Sequence, residues 1–97
     1  MRTTRIFIAA LALAWAGAAT AAEAPPGASS CSGCHPTGKS VGTPVPRLIG
    51  RDAAQISAAM ADFKAGKRPT TIMDRISKGF TEAETNAIAA WFAAQKD

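Results

Sequence analysis

Cys31-Ser-Gly-Cys34-His35 is the segment from which the architecture of this chain follows, since two thiols three positions apart with a histidine directly after them are what covalent haem attachment requires. Each sulfur can add to a vinyl group on one edge of a porphyrin, which places the adjacent imidazole beneath the iron as an axial ligand. The motif therefore predicts one c-type haem, bonded through Cys31 and Cys34 and ligated by His35.

Other uses of a Cys-x-x-Cys pair stay open from the residues alone. A thioredoxin-like redox site would follow a β-strand, and no strand pattern precedes Cys31. A tetrahedral zinc site would need further ligands, yet the chain holds two Cys and one His. A structural disulfide suits an oxidising compartment but leaves His35 without a role.

Residues 1–22 have the pattern of a secretory signal peptide. Arg2 and Arg5 give a positive start, residues 6–16 an apolar core, and Ala19-Thr-Ala21 a small-residue cleavage site. Cleavage there, within one residue, leaves a domain over 23–97 and predicts a periplasmic protein with no membrane span. An uncleaved membrane anchor is the alternative, which the shortness of the apolar run disfavours.

The mature chain of about 75 residues predicts one domain with a modest core. Chains of this size rarely gain more than about 3–5 kcal/mol from side-chain burial alone, so they depend on a disulfide, a metal or a cofactor. A buried haem would supply the missing apolar centre. We therefore expect the haem-free chain to be mostly unfolded.

Four segments predict helices, and the prolines near residues 41–45 argue against the one weak strand candidate. A short helix over 28–34 precedes a Gly- and Pro-rich loop that extends to residue 50. A second helix starts at the Asp52–Gln55 pair and stops at Gly66, a third lies within 69–79, and a fourth starts at the Thr81–Glu84 capping box. Their apolar positions at helical spacing are Ile56, Met60 and Phe63, then Ile72, Met73, Ile76 and Phe80, and last Ala87, Ile88, Trp91 and Phe92.

Spacing leaves several candidates for the sixth ligand of a low-spin haem, because His35 is the sole histidine. Methionine, lysine, a terminal amine or an open position are the alternatives. Met60 lies on an apolar helical stripe and suits a role in the core, whereas Met73 follows the break at Pro69, where the backbone can turn a thioether toward a haem face. Spacing favours Met73 and leaves Met60 open.

Taken together, four stretches resemble class I cytochrome c, and more narrowly the cytochrome c4-like group and the haem subunit of flavocytochrome c sulfide dehydrogenase. The resemblance spans nearly the whole mature chain. It rests on Cys31-Ser-Gly-Cys-His35, Pro46-Arg-Leu48-Ile-Gly50, Phe63-Lys-Ala-Gly66 and Thr71-Ile-Met73-Asp-Arg-Ile-Ser-Lys-Gly79.

This resemblance implies a small all-α fold of three to four short helices around one haem. It implies that Met73 is the distal ligand, that the carbonyl of Pro46 holds the second ring nitrogen of His35, and that Leu48 packs on the haem. Class I cytochromes have a full N-terminal helix crossing the C-terminal one, whereas here only a few residues separate Pro26 from Cys31. We therefore expect Trp91 to pack against a stub or a partner chain.

The resemblance implies an electron carrier rather than an enzyme. We expect a periplasmic haem subunit that accepts electrons from a flavoprotein sulfide dehydrogenase, with a free-standing carrier to a terminal oxidase or another redox partner as the alternative. A haem enzyme or gas sensor would need a labile sixth position and a polar distal group, and no second histidine exists to supply one.

The formal net charge is +4, and removal of Arg2 and Arg5 would leave +2. Eight basic residues lie between positions 39 and 78 against three acidic ones, an excess that could steer an acidic redox partner or be an ordinary solvated surface. No motif for nucleic-acid binding accompanies this charge. We call these eight residues the basic collar: Lys39, Arg47, Arg51, Lys64, Lys67, Arg68, Arg75 and Lys78.

Overall fold

A computed structural model describes residues 23–38 and 42–96, and all regular structure within these ranges is helical. The predicted all-α fold is therefore confirmed. The predicted signal segment lies outside the described residues. The helices are α1 (Ala28–Cys31), α2 (Ala53–Lys64), α3 (Met73–Ser77) and α4 (Glu82–Ala94).

Helix α1 is shorter than the sequence predicts, because it ends at Cys31 instead of reaching Cys34. Beyond Cys31 the chain continues as tight turns, in which the amide of Gly33 bonds to the carbonyl of Ser30 and that of Cys34 to the carbonyl of Cys31. Such three-residue bonds tighten a helix end and stop its propagation. His35 consequently follows the helix on a turn.

Helix α2 begins and ends with local capping signals. The carboxylate of Asp52 accepts a hydrogen bond from the amide of Gln55, as the sequence predicts for an N-cap. At the other end Gly66 has φ 71°, and the amides of Gly66 and Lys67 bond to the carbonyls of Phe63 and Asp62. These two bonds form a Schellman motif, which explains why Gly66 ends the helix.

Helix α4 begins at a complete capping box. The hydroxyl of Thr81 accepts from the amide of Glu84, and the carboxylate of Glu84 accepts from the amide of Thr81. Ile88 and Phe92 are buried as predicted, but the predicted stripe is wrong at Ala87, which is exposed. The buried face turns instead through Thr85 and Ala89.

Helices α1, α2 and α4 contribute buried hydrophobic side chains to a small core. Helix α2 packs against both α3 and α4. Trp91 is half-buried beside this core. Its ring meets the Phe92 ring edge-on, with the two ring centroids 4.9 Å apart. Among the described residues the buried hydrophobic side chains are Ala28, Ile56, Ile88, Ala89 and Phe92.

The four-residue α1 is the stub that the sequence predicts, although Ala28 is fully buried in the core. Trp91 also lines a shallow groove on α4 together with Glu23 and Pro25, which precede α1. Among the helices of 23–38 and 42–96, none has the length and apolar character needed to cross a bilayer.

Candidate haem site

His35 is held by a hydrogen bond across the loop that follows it. Its Nδ1 lies 2.6 Å from the carbonyl oxygen of Pro46, eleven residues further along the chain. A carbonyl oxygen can only accept, so Nδ1 carries the proton and Nε2 is left with a free lone pair. Nε2 is therefore the ring nitrogen available to a metal, and the carbonyl fixes both the tautomer and the orientation of the imidazole.

Cys31 and Cys34 lie on the same turn but in different surroundings. Cys31 is half-buried against the core, and its thiol donates to the carbonyl of Gly27 at 3.7 Å. Burial raises the pKa of the Cys31 thiol above its ordinary value, because a partly buried thiolate loses solvation. Cys34 is exposed, and the two thiols are not joined to each other.

The Pro46–Gly50 segment is hydrogen-bonded to the end of α4. The amide of Gly50 donates to the carbonyl of Phe92 at 3.0 Å, and the amide of Arg51 donates to that of Leu48 at 3.1 Å. Leu48 is half-buried and packs against the core. The Pro46 carbonyl is therefore positioned relative to the core, and not only by its own loop.

Met73 is the first residue of α3 and is half-buried. Two bonds hold this end of the helix, since the amide of Asp74 donates to the hydroxyl of Thr70 and the fully buried hydroxyl of Ser77 donates to the carbonyl of Asp74. Ile72 and Ile76 flank Met73 with 54% and 38% of their surface exposed. Two large apolar side chains are thus exposed within three positions of Met73 in the chain.

Met60 occupies a different part of the molecule. It is half-buried in α2 and lines a shallow groove between α2 and α4, together with Lys64 and Thr85. These neighbours place Met60 on the side of α2 that faces α4. The position agrees with a packing role.

Phe80 connects the Met73 segment to helix α1, which ends at Cys31. It follows α3, packs against the core, and its ring lies against Gly27, the residue that caps α1. The ammonium of Lys64 donates to the carbonyl of Phe80, which ties the same turn to the end of α2. Cys31 and Leu48 are therefore joined through the core, and His35 and Pro46 are joined by one hydrogen bond. Met73 is linked to these residues by the packing of α3 on α2 and by Phe80.

The donor set fits haem. The chain offers two separate thiols on one turn, an imidazole whose Nδ1 is engaged, and a half-buried thioether close in the chain to exposed Ile72 and Ile76. The buried core of the described residues is small, which agrees with a chain that completes its core with a cofactor.

Curated proteins similar to this chain are 33–40% identical to it over the matched residues. The cytochrome subunit of sulfide dehydrogenase from Chlorobaculum tepidum is 40% identical over 63 residues, which are 65% of this chain and 57% of that protein. The chain resembles class I c-type cytochromes. The thiosulfate dehydrogenase electron acceptor of Thiomonas intermedia is 38% identical over 73 residues, which are 71% of this chain and 34% of the relative.

A thiosulfate dehydrogenase electron acceptor from Stutzerimonas stutzeri is 33% identical over 67 residues, or 65% of this chain and 31% of the relative. The chain thus spans between about a third and somewhat over half of the length of the curated relatives it matches. No family model matches the chain.

Several residues that shape the site were not identified from the sequence. The sequence predicts no role for Gly27, an apolar stripe position for Phe80, and membership of the basic collar for Lys64 and Arg47. Their roles depend on contacts with Phe80, Gly27 and Thr37 that are distant in the chain. A glycine directly before a helix was the one available signal for a special backbone conformation.

Proposed function

We propose that this chain is a single-electron carrier with one haem c bonded to Cys31 and Cys34 and ligated by His35 and Met73. The observation that carries this proposal is the 2.6 Å hydrogen bond between Nδ1 of His35 and the carbonyl of Pro46. A metal-binding imidazole usually has its second nitrogen engaged in this way. The adjacent pair of thiols restricts the cofactor to one that is attached covalently.

When bound, haem supplies a one-electron couple between ferric and ferrous iron. The residues of the chain keep the surroundings the same in both states. Cys31 and Cys34 tether the cofactor, and Pro46 keeps His35 in one orientation. Little rearrangement then accompanies the change of charge.

Met73 is proposed as the distal ligand because it is half-buried and flanked by exposed apolar side chains. A soft thioether in an apolar environment disfavours additional positive charge and raises the reduction potential. Leu48, Ile72 and Ile76 would help to exclude water. These features favour a high-potential carrier that accepts electrons.

We propose further that residues 1–22 are removed on export and that 23–97 act in the periplasm, since c-type haem is attached outside the cytoplasmic membrane. The supporting observation is the order of a positive start, an apolar run and small residues in the first 22 positions.

The proposed donor is a flavoprotein sulfide dehydrogenase, of which this chain would be the haem subunit. The resemblance to such subunits and the name of the Chlorobaculum tepidum relative support this partner. Two relatives are named as electron acceptors of thiosulfate dehydrogenase, which favours as a second candidate a separate carrier that is reduced by a sulfur-oxidising enzyme. In either case the chain moves electrons and another protein performs the sulfur chemistry.

The basic collar is proposed as the surface that attracts the partner. Lys39 lies outside the described residues and Arg47 is half-buried, but the other six members are exposed. Such a surface would raise the association rate with an acidic protein.

The test is production of the full chain in a bacterium that attaches haem to exported proteins. We expect the mature polypeptide to gain the mass of one haem and to titrate as a single one-electron couple at positive potential. The bare polypeptide mass would contradict the proposal. Carbon monoxide that binds rapidly to the reduced protein would favour a haem enzyme or gas sensor, because it requires an open sixth position.

Partner identity needs a separate experiment. Copurification with a larger flavin-containing chain would support the subunit role. A stable monomer that is reduced by thiosulfate dehydrogenase in a stopped-flow assay would support the free carrier instead.

A further inference from the structure

Arg47 makes a second connection across the loop that the His35–Pro46 hydrogen bond closes. One terminal nitrogen of its guanidinium donates to the carbonyl of Thr37 at 3.0 Å. Arg47 is half-buried and follows Pro46 directly. Pro46 and Arg47 are therefore successive residues on one side of the loop. Their hydrogen-bond partners, His35 and Thr37, lie on the other side.

The two bonds constrain each other. One hydrogen bond between His35 and Pro46 would by itself still allow the Pro46 peptide to rotate about the line that joins the two residues. The bond from Arg47 to Thr37 lies beside the first and opposes that rotation. Pro46 has no N–H of its own with which to make a reciprocal bond, so a neighbouring side chain must supply the second anchor.

We propose that Arg47 is a positioning residue that keeps the Pro46 carbonyl aligned on Nδ1 of His35. The inference rests on the proposed function, in which His35 is the proximal ligand of haem. In this role Arg47 acts through Pro46. Its effect is to limit the opening of the His35 hydrogen bond.

Arginine suits this position better than another basic residue would. Its guanidinium is planar, carries five donors in a rigid arrangement and is always charged, so it can hold a carbonyl from a half-buried site. Arg51 is the matched comparison, because it is exposed and lies four residues further along the same segment. Its amide bonds to Leu48, and that bond does not involve the side chain.

The experiment uses the reduced, haem-loaded protein labelled with 15N-histidine. His35 is the only histidine of the chain, so its ring N–H gives a single assignable signal. We expect Arg47→Met to accelerate solvent exchange of the His35 Nδ1 proton by about fivefold, the factor that corresponds to the loss of one net hydrogen bond. Arg51→Met removes the same charge and should leave the rate unchanged.

Two further variants complete the test. Arg47→Gln keeps a polar group in the half-buried position but is too short to replace the guanidinium, so it should also accelerate exchange, even if Arg47→Met fails to fold. Arg47→Lys keeps the charge and a long donor and should restore most of the protection.

Equal exchange rates in the Arg47→Gln, Arg51→Met and unchanged proteins would overturn the role of Arg47. That result leaves the proposed function intact, because the protein would still contain haem. A wild-type protein that is exported without haem would instead overturn the proposed function, and this inference with it.

Discussion

The ring of Phe80 lies against the α-carbon of Gly27, so that a Cβ at Gly27 would come within 2.6 Å of Cε1 of Phe80. The same Cβ would be 3.5 Å from Cδ1 of Ile88 in α4. Gly27 also has φ 89°, in the left-handed region that other residues adopt at a cost. Helix α1 therefore starts at a point where the backbone, the Phe80 ring and α4 meet.

Replacement of Gly27 by alanine should destabilise the protein by about 1–2 kcal/mol. The alanine would be strained at this positive φ, and the Phe80 ring would have to move to admit its Cβ. Urea unfolding of the haem-loaded protein measures this cost. Gly42→Ala is the matched control, since Gly42 has no positive φ and nothing lies within 4 Å of an added Cβ. Equal unfolding midpoints for the two variants would contradict the importance of the Gly27–Phe80 contact.

Removal of the thioether at residue 73 should lower the reduction potential, because the iron would lose the distal ligand proposed above, which favours its ferrous form. Met73→Ala is compared with Met60→Ala by redox titration and by optical spectra of both oxidation states. Met60 lines the groove between α2 and α4, so its removal should cost about 1 kcal/mol of stability and leave the spectrum unchanged. A spectral change in the Met60 variant alone would transfer the ligand role to Met60.

The capping box of α4 predicts a pH dependence of stability. Hydrogen bonds from Thr81 to its carboxylate are the main reason why the pKa of Glu84 lies below its ordinary value of 4.5, and Lys64 adds a smaller attraction. The folded state therefore prefers the charged carboxylate, and the resulting stability is present above pH 4.5 and is lost as the pH falls through the lower folded pKa.

Thermal midpoints of the unchanged protein and Glu84→Gln should consequently differ most at neutral pH and converge in acid. Glu82→Gln is the control, because Glu82 lies in the same first turn but is not part of the capping box. A difference between the unchanged protein and Glu84→Gln that persists in strong acid would contradict the assignment.

The haem-free chain should be mostly unfolded, since the buried hydrophobic core of the described residues is small and cannot offset the conformational entropy of the chain. Export of a Cys31→Ser, Cys34→Ser double variant, followed by far-UV circular dichroism, provides the measurement. We expect little helical signal and no cooperative thermal transition. A cooperative native fold without haem would show that the polypeptide core suffices.

Reversal of one charge in the basic collar should slow electron transfer with an acidic partner. Lys67→Glu should reduce the second-order rate constant at least about twofold at low ionic strength, and the difference should vanish at high salt, where exposed charges are screened. Lys96→Glu makes the same change at an exposed lysine outside the collar. An equal loss of rate in both variants would indicate an effect of net charge alone.

The local elements of this fold could be predicted because their causes lie within a few residues. Thr81 and Glu84 form their capping box, and Gly66 ends α2, through bonds that span five residues or fewer. Errors arose where the outcome depended on distant packing. The apolar pattern of α4 could not separate exposed Ala87 from buried Ala89, because small residues occur on both faces of the helix.

The covalent order of the chain by itself determined the chemistry of Cys31, Cys34 and His35, since adjacency alone brings two thiols and an imidazole to one turn. Tertiary structure alone decided that Arg47 bonds to Thr37 and that Phe80 covers Gly27, and it forms the bond between the Pro46 carbonyl and Nδ1 of His35 that the family resemblance implies. Each of these contacts joins residues ten or more positions apart. Their formation depends on loop closure and on the packing of α1, α2 and α4 around a shared core, which a local pattern does not encode.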